Sequence, residues 1–181
     1  TAVDRNLLIS MVQNGDDVTK VVTSLIKNMR DIFNQKYTFN QDISSWDVSN
    51  VTNMHRMFYR ATAFDNTYDI SNWDVSNVTD MSKMFEHATS FNQNIGSWDV
   101  SKVTNMSMMF QKATIFNQDI SDWDVSNVTN MSYMFSKAEN FDQYLNTWNT
   151  GNVTSTEGMF KSATIFNQDV SNWDVSKVTN M

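Results

Sequence analysis

The 181-residue chain has no cysteine. That removes disulfides and thiolate metal sites, and it leaves the compartment open because exported bacterial proteins also do without cysteine. No apolar run approaches the roughly 18 residues that a membrane-spanning helix needs, and the opening TAVDRNLLIS carries neither the charged nor the apolar block of a signal peptide. Positive charge is scarce: 13 Lys and Arg face 20 Asp and Glu, for a net charge of -7 and a pI near 4.6. Long-range attraction is therefore expected for cations or basic partners, not for nucleic acid or anionic membranes. Catalytic constellations are missing too. No nucleophile stands with a partnered base, no glycine loop suits a phosphate, and His55 and His87 occupy different repeat positions with no third ligand. An enzyme is not expected.

What is present is repetition. Six tryptophans, Trp46, Trp73, Trp98, Trp123, Trp148 and Trp173, are spaced by 27 residues once and by 25 thereafter. The unit reads roughly F-N-Q-D-I-S-x-W-D-V-S-N-V-T-N-M-S-x-M-F-x-x-A-T-x. The longer first interval, FDNTYDISNW after Ala63, predicts a looped-out pair. A period this short means stacked coils, none of which buries enough apolar surface to fold alone.

Within the coil of Trp46, the apolar positions are Ile43, Trp46, Val48, Val51, Met54, Met57, Phe58, Ala61 and Phe64. Alternation around Trp46 and Val48 predicts a short strand. The spacing of Met54, Met57, Phe58 and Ala61 predicts two helical turns, with Thr52 or Asn53 as N-cap. The expected fold is an α/β repeat solenoid, leucine-rich-repeat-like, with a parallel sheet on one face, short helices on the other and a helical N-terminal cap. Residues 1–38 form that cap together with a degenerate zeroth repeat, whose apolar residues from Val18 to Phe33 keep helical spacing; residues 39–181 hold six repeats. Asn14-Gly15 marks a helix stop and restart. Repeat five departs most, reading FDQYLNTWNTG with Gly158 in its expected helix. The chain stops at Met181 inside a unit, so continuation in a longer protein, or an uncapped end open to self-association, is expected.

The unit W-D-V-S-N-V-T-N-M-S-x-M-F resembles that of the BspA-like leucine-rich-repeat surface proteins of bacteria, over residues 39–181. Ile43-Ser44-Ser45-Trp46-Asp47-Val48 fits the L-x-x-L-x-L frame with Trp in the middle place. The resemblance implies a solenoid with a parallel sheet, on a cell-surface or secreted protein that binds host or environmental molecules.

An outward column, Asp47, Asp74, Asp99, Asp124, Asn149 and Asp174, stacks like charges that repel by about 1 kcal/mol per neighbouring pair even in water. Three readings stand: hydrogen bonds from turn amides, a face for a basic partner, or calcium bridging the Asp47/Asp74/Asp99/Asp124 column. Asp42, Asp69 and Asp119 belong to a less uniform second column, and the Asn ladders at Asn50 and Asn53 are expected to bond side chain to side chain. The methionines and tryptophans read as core.

The expected function is adhesion or interaction with an extracellular protein or glycan. The candidate residues are Asp47, Asp74, Ser76, Asp99, Ser101, Asp124, Ser126 and Asp174, and alanine at the aspartates is expected to weaken binding while leaving the fold intact. The alternative is a structural spacer or ice-binding array built on the column Thr52, Thr79, Thr104, Thr129 and Thr154.

Overall fold

The computed structural model describes residues 2–65 and 67–181. One helix, α1 (Arg5–Asn14), opens the chain. Asp4 caps it by accepting from the Leu7 N–H at 2.8 Å, and Gly15, at φ 79°, ends it in the left-handed conformation that only glycine enters without a Cβ clash. Leu8 and Val12 are its buried face.

No helix follows α1 among the described residues, and strand-type pairing between coils is confined to single parallel bridges along Asn28, Asn53, Asp80, Asn105, Asn130, Ser155 and Asn180. This overturns the expected α/β, leucine-rich-repeat-like architecture with its parallel sheet and short helices. The protein is a stack of coils made of consecutive tight turns.

The backbone bonds explain why the helical spacing misled. The Met57 N–H donates to the Met54 carbonyl at 3.1 Å, Tyr59 to Arg56 at 3.1 Å and Ala61 to Phe58 at 3.0 Å, each three residues back and not the four of an α-helix. Arg56 and Arg60 lie at φ 55° and 58°, in the left-handed region. That reversal aims alternate N–H groups along the stack: Met54, Arg56, Phe58 and Arg60 donate to the carbonyls of Asp80, Ser82, Met84 and Glu86 in the next coil at 2.8–3.1 Å. Successive turns place apolar residues at i, i+3, i+4 and i+7 as a helix does, so the spacing alone does not separate the two. The expected strand is also built of turns, since Trp46 donates to Ile43 at 3.1 Å and Val51 to Val48 at 2.8 Å. Residues 18–36 repeat the scheme, with Asp31 and Gln35 left-handed at φ 63° and 59°, so the zeroth repeat is a turn-built coil and no helix restarts after Gly15.

The inward residues are those the period picks out. Ile43, Val51, Met54, Met57, Phe58, Ala61 and Phe64 are fully buried, as are Met81, Met106 and Met131 in the coils that follow. Rings stack on their equivalents: Phe85 lies 5.8 Å from Phe110 and Phe110 5.7 Å from Phe135, with planes within 9°. A second phenylalanine packs inside each coil, Phe116 sitting 4.0 Å from Phe110. Every tryptophan Nε1 donates to the preceding coil, Trp98 to the Ile70 carbonyl at 3.1 Å and Trp123 to Ile95 at 3.1 Å. Burying an indole costs little when its one polar atom is satisfied. The Asn50 ladder differs from expectation. Asn50, Asn77, Asn127 and Asn152 donate from Nδ2 to backbone carbonyls of the previous coil at 2.7–3.0 Å, because those carbonyls face them and lack another donor.

In the segment equivalent to Met54–Arg60 the N-terminal edge presents carbonyls, since the N–H groups there point toward the next coil. Arg5 of α1 supplies what a preceding coil would supply, donating from Nε to the Asn28 carbonyl at 3.0 Å and from Nη2 to the Arg30 carbonyl at 2.6 Å.

Candidate interaction surface

Each coil except that of Trp148 contains the string Asx–apolar–Ser–x–apolar, most of them more than once, and each copy is one turn. In the coil of Trp46, Asp42 Oδ1 accepts from the Ser44 N–H at 3.0 Å and Asp47 Oδ1 from the Ser49 N–H at 3.0 Å. Asn53 Oδ1 accepts from the His55 N–H at 2.9 Å. The side chain two residues ahead thus locks the turn that buries the next apolar pair. Both Ser44 and Ser49 also donate from Oγ to the same carboxylates, at 2.6 Å each.

The candidate site residues fall on this scaffold. Asp74, Asp99, Asp124 and Asp174 accept from the backbone N–H groups of Ser76, Ser101, Ser126 and Ser176 at 2.9–3.1 Å. At Asn149 an amide oxygen does the same for Gly151 at 3.2 Å. Asp47, Asp74, Asp99, Asp124 and Asp174 are all exposed, one per coil and in register, so the structure brings the whole column together along one edge. The serine side-chain hydrogen bonds, then the serine backbone ones, hold Asp47 and Asp99 below the ordinary carboxylate value of 3.8. For Asp174 the order of the two causes is reversed. Asp47, Asp99 and Asp174 are thus ionised at neutral pH.

Of the three readings of the column, hydrogen bonding by turn amides accounts for one oxygen of every carboxylate. Alanine at these aspartates therefore removes turn locks as well as charge, and the expectation that it leaves the fold intact is corrected on that ground. Among the described residues, no group of three His, Cys, Asp or Glu side chains converges to hold a metal ion. In the threonine column, Thr79, Thr104, Thr129 and Thr154 donate their hydroxyl protons to the previous coil's threonine carbonyl at 3.0–3.1 Å. A lattice of free donors is not on offer there. His55 Nδ1 meets Ser82 Oγ at 2.7 Å and His87 lies 4.0 Å from Glu86, two separate places. The looped-out pair expected before Ile70 includes Asn66, which lies outside the described residues; beside it, Asp65 accepts from the Thr67 N–H at 2.8 Å.

The reading of aspartates bonded by turn amides holds in every coil that has them. What escaped the sequence reading is the pair of left-handed columns, Asp31, Arg56, Lys83, Met108, Tyr133 and Gly158 in one and Gln35, Arg60, His87, Lys112, Lys137 and Ser162 in the other, signalled only by Gly158.

No curated protein and no solved structure matches the chain. A family model does match, twice, over residues 6–104 and 91–181. The two matches span the turn-built coils nearly end to end, and the chain belongs to the family described as Mycoplasma protein of unknown function, DUF285.

Proposed function

We propose that the chain is a non-enzymatic interaction module of a surface-exposed or secreted protein, binding an extracellular protein or glycan through the aspartate edge. The observation that carries this reading is the registered column of exposed carboxylates, Asp47, Asp74, Asp99, Asp124 and Asp174, with Ser76, Ser101 and Ser126 beside them. Pre-locked turns present those charges without an ordering cost on binding, which favours a basic, extended partner engaged at several coils at once. The likeness of the repeat to BspA-like surface proteins supports the placement outside the cell.

The test replaces Asp74, Asp99 and Asp124 with asparagine together. Asn149 already makes the same turn bond, so the fold is retained while three charges leave. Binding to a panel of immobilised extracellular-matrix proteins and glycans is then compared with the parent chain. At least a tenfold loss toward whichever partner the parent binds is expected; unchanged binding would sink the assignment.

A further inference from the structure

Although the chain is acidic overall, five of its 13 Lys and Arg, namely Arg56, Arg60, Lys83, Lys112 and Lys137, share one strip. Arg60, His87, Lys112 and Lys137 occupy one position in four successive coils, all left-handed at φ 58–61°. Their N–H groups each donate at 2.8 Å to the next coil, to the carbonyls of Glu86, Gln111, Ser136 and Lys161, so the column is in register. Arg56 and Lys83, at φ 55° and 61°, stand four residues earlier in a second left-handed column that continues through Met108, Tyr133 and Gly158. His87 is held below its ordinary value by burial first and then by Lys112, Arg60 and Lys137, which places those cations around it. No member of the Asp47 column is among the charges acting on His87 or on Glu86.

Two properties set this strip apart from a solvated charged face. A left-handed backbone favours glycine, and Gly158 stands in the Arg56 column at φ 56°. Long cationic side chains stand at these positions all the same, and Lys83, Arg56, Arg60 and Lys112 surround the buried carboxylate of Glu86, which leaves the strip with an excess of positive charge. The strip also holds unmet polar atoms: Arg56 Nε, Arg60 Nε and Glu86 Oε2 are buried with no hydrogen-bond partner, and Glu86 is only 7% exposed.

We infer that this strip binds a linear sulfated polysaccharide, laid along the stack with its anionic groups over Arg60, Lys83, Lys112 and Lys137. The site is separate from the aspartate edge and does not depend on it. A strip of one or two side chains' width suits a single polar chain. Single-stranded nucleic acid would need exposed rings for its bases, yet Tyr59 lies under Arg56 and Arg60, with the guanidinium carbons 5.5 and 5.2 Å from its ring. Tyr133 is half-buried and its hydroxyl donates to Glu157. A bilayer would need an apolar wedge, and the neighbours Met109, Phe110 and Ala113 are fully buried.

The experiment measures binding of the 181-residue chain to immobilised heparin at low and high salt, beside desulfated heparin, poly-thymidine and phosphatidylserine vesicles. The result expected is salt-sensitive binding to heparin alone, weakened about tenfold or more in Lys83→Gln/Lys112→Gln/Lys137→Gln and kept when the same three become arginine. The asparagine variant of the aspartate edge should bind heparin as well as the parent or better. Absent heparin binding, an unaffected glutamine variant, or a loss caused by the aspartate-edge variant would each overturn the assignment. Equal or tighter binding to poly-thymidine or to the vesicles would also overturn it, in favour of nucleic acid or membrane. The aspartate-edge reading survives any of these outcomes, since its partner is captured by the opposite charge.

Discussion

Lys137 offers a test in which the turn-built coil and a helical coil give opposite signs. It sits at φ 60°, is exposed, and donates its N–H to the Lys161 carbonyl at 2.8 Å. Replacing it by alanine or by glycine removes the same charge and the same stem; the two variants differ only by a Cβ. In a helix interior, alanine is more stable than glycine by about 1 kcal/mol. At a left-handed position the Cβ costs roughly 1–2 kcal/mol, against which glycine loses about 0.5–1 kcal/mol of extra backbone entropy on folding. Lys137→Gly should therefore be more stable than Lys137→Ala by about 0.5–1 kcal/mol. For a chain of this length that is a Tm higher by about 1–4 °C. Urea unfolding followed by tryptophan fluorescence, with thermal melts alongside, gives both numbers, and an unchanged m-value would show that the comparison is of like states. If the alanine variant proves the more stable of the two, the left-handed turn is wrong and the coil is helical there.

Gly158→Ala should be the converse case: at φ 56° a Cβ would also lie 2.5 Å from the Tyr133 ring, so a loss of at least about 2 kcal/mol is expected in the same melts. Trp98→Phe keeps most of the stacked ring area on Trp73, 6.4 Å away, but removes one of two donors to the Ile70 carbonyl, which still accepts from the Trp73 N–H, and should cost about 0.5–1.5 kcal/mol; an indistinguishable urea midpoint would count against that bond. Arg5→Leu strips donors from the Asn28 and Arg30 carbonyls, so amide exchange in the zeroth coil should speed up while that around Met131 does not. Uniform change, or none, would remove Arg5 as the edge cap. Asp47, Asp99 and Asp119 are held below 3.8 in the fold by their serines, so their stabilising effect is full above that value and is lost as pH falls through it toward their folded values. Burial lowers His55 and His87 from 6.5, which makes stability fall as pH drops below 6.5. Tm should thus decline gently below pH 6.5 and more steeply below 3.8, the second phase shrinking in Asp47→Asn/Asp99→Asn.

The repeat and its inward face were legible because burial depends on spacing, and spacing survives whichever backbone conformation delivers it. Ile43, Trp46, Val48, Val51, Met54, Met57, Phe58, Ala61 and Phe64 are buried as the period requires. The conformation was not legible from that face. A turn closing three residues back and a helix closing four back give Met54, Met57, Phe58 and Ala61 the same pattern. What separates them lies on the outward face, where Asp47 and Asn53 precede an apolar residue and Ser49 or His55 follows it, and local side-chain bonds to the backbone compete with helix. The left-handed sites were hidden for another reason. Arg56, Lys83 and Lys112 are poor markers of positive φ, and only the hydrogen bonds from the neighbouring coil hold them there. The site residues were legible as a column, and of its three readings the one with turn amides bonded to the carboxylates is what Asp74 and Asp99 show.

Polarity of the stack limits what its ends can accept. From Met54 to Arg60 and in every equivalent segment, alternate N–H groups point toward the next coil and the carbonyls receive from the one before. Along this segment one edge is a row of acceptors and the other a row of donors, whereas the threonine and tryptophan donors run the other way, from the Thr79 N–H to the Thr52 carbonyl and from Trp98 Nε1 to the Ile70 carbonyl. Arg5, with five N–H groups and no acceptor, suits the carbonyls of the first edge. At the far edge, Gly158, Phe160 and Ser162 hold the positions from which Tyr133, Phe135 and Lys137 donate to the coil beyond them. Whatever covers that edge must bring carbonyl or carboxylate oxygens at the coil's own spacing, together with apolar surface for the half-buried Phe160, Phe166 and Trp173. Along the Met54–Arg60 segment, like edges pressed together would face donors with donors or acceptors with acceptors, so this segment favours coils that follow one another head-to-tail.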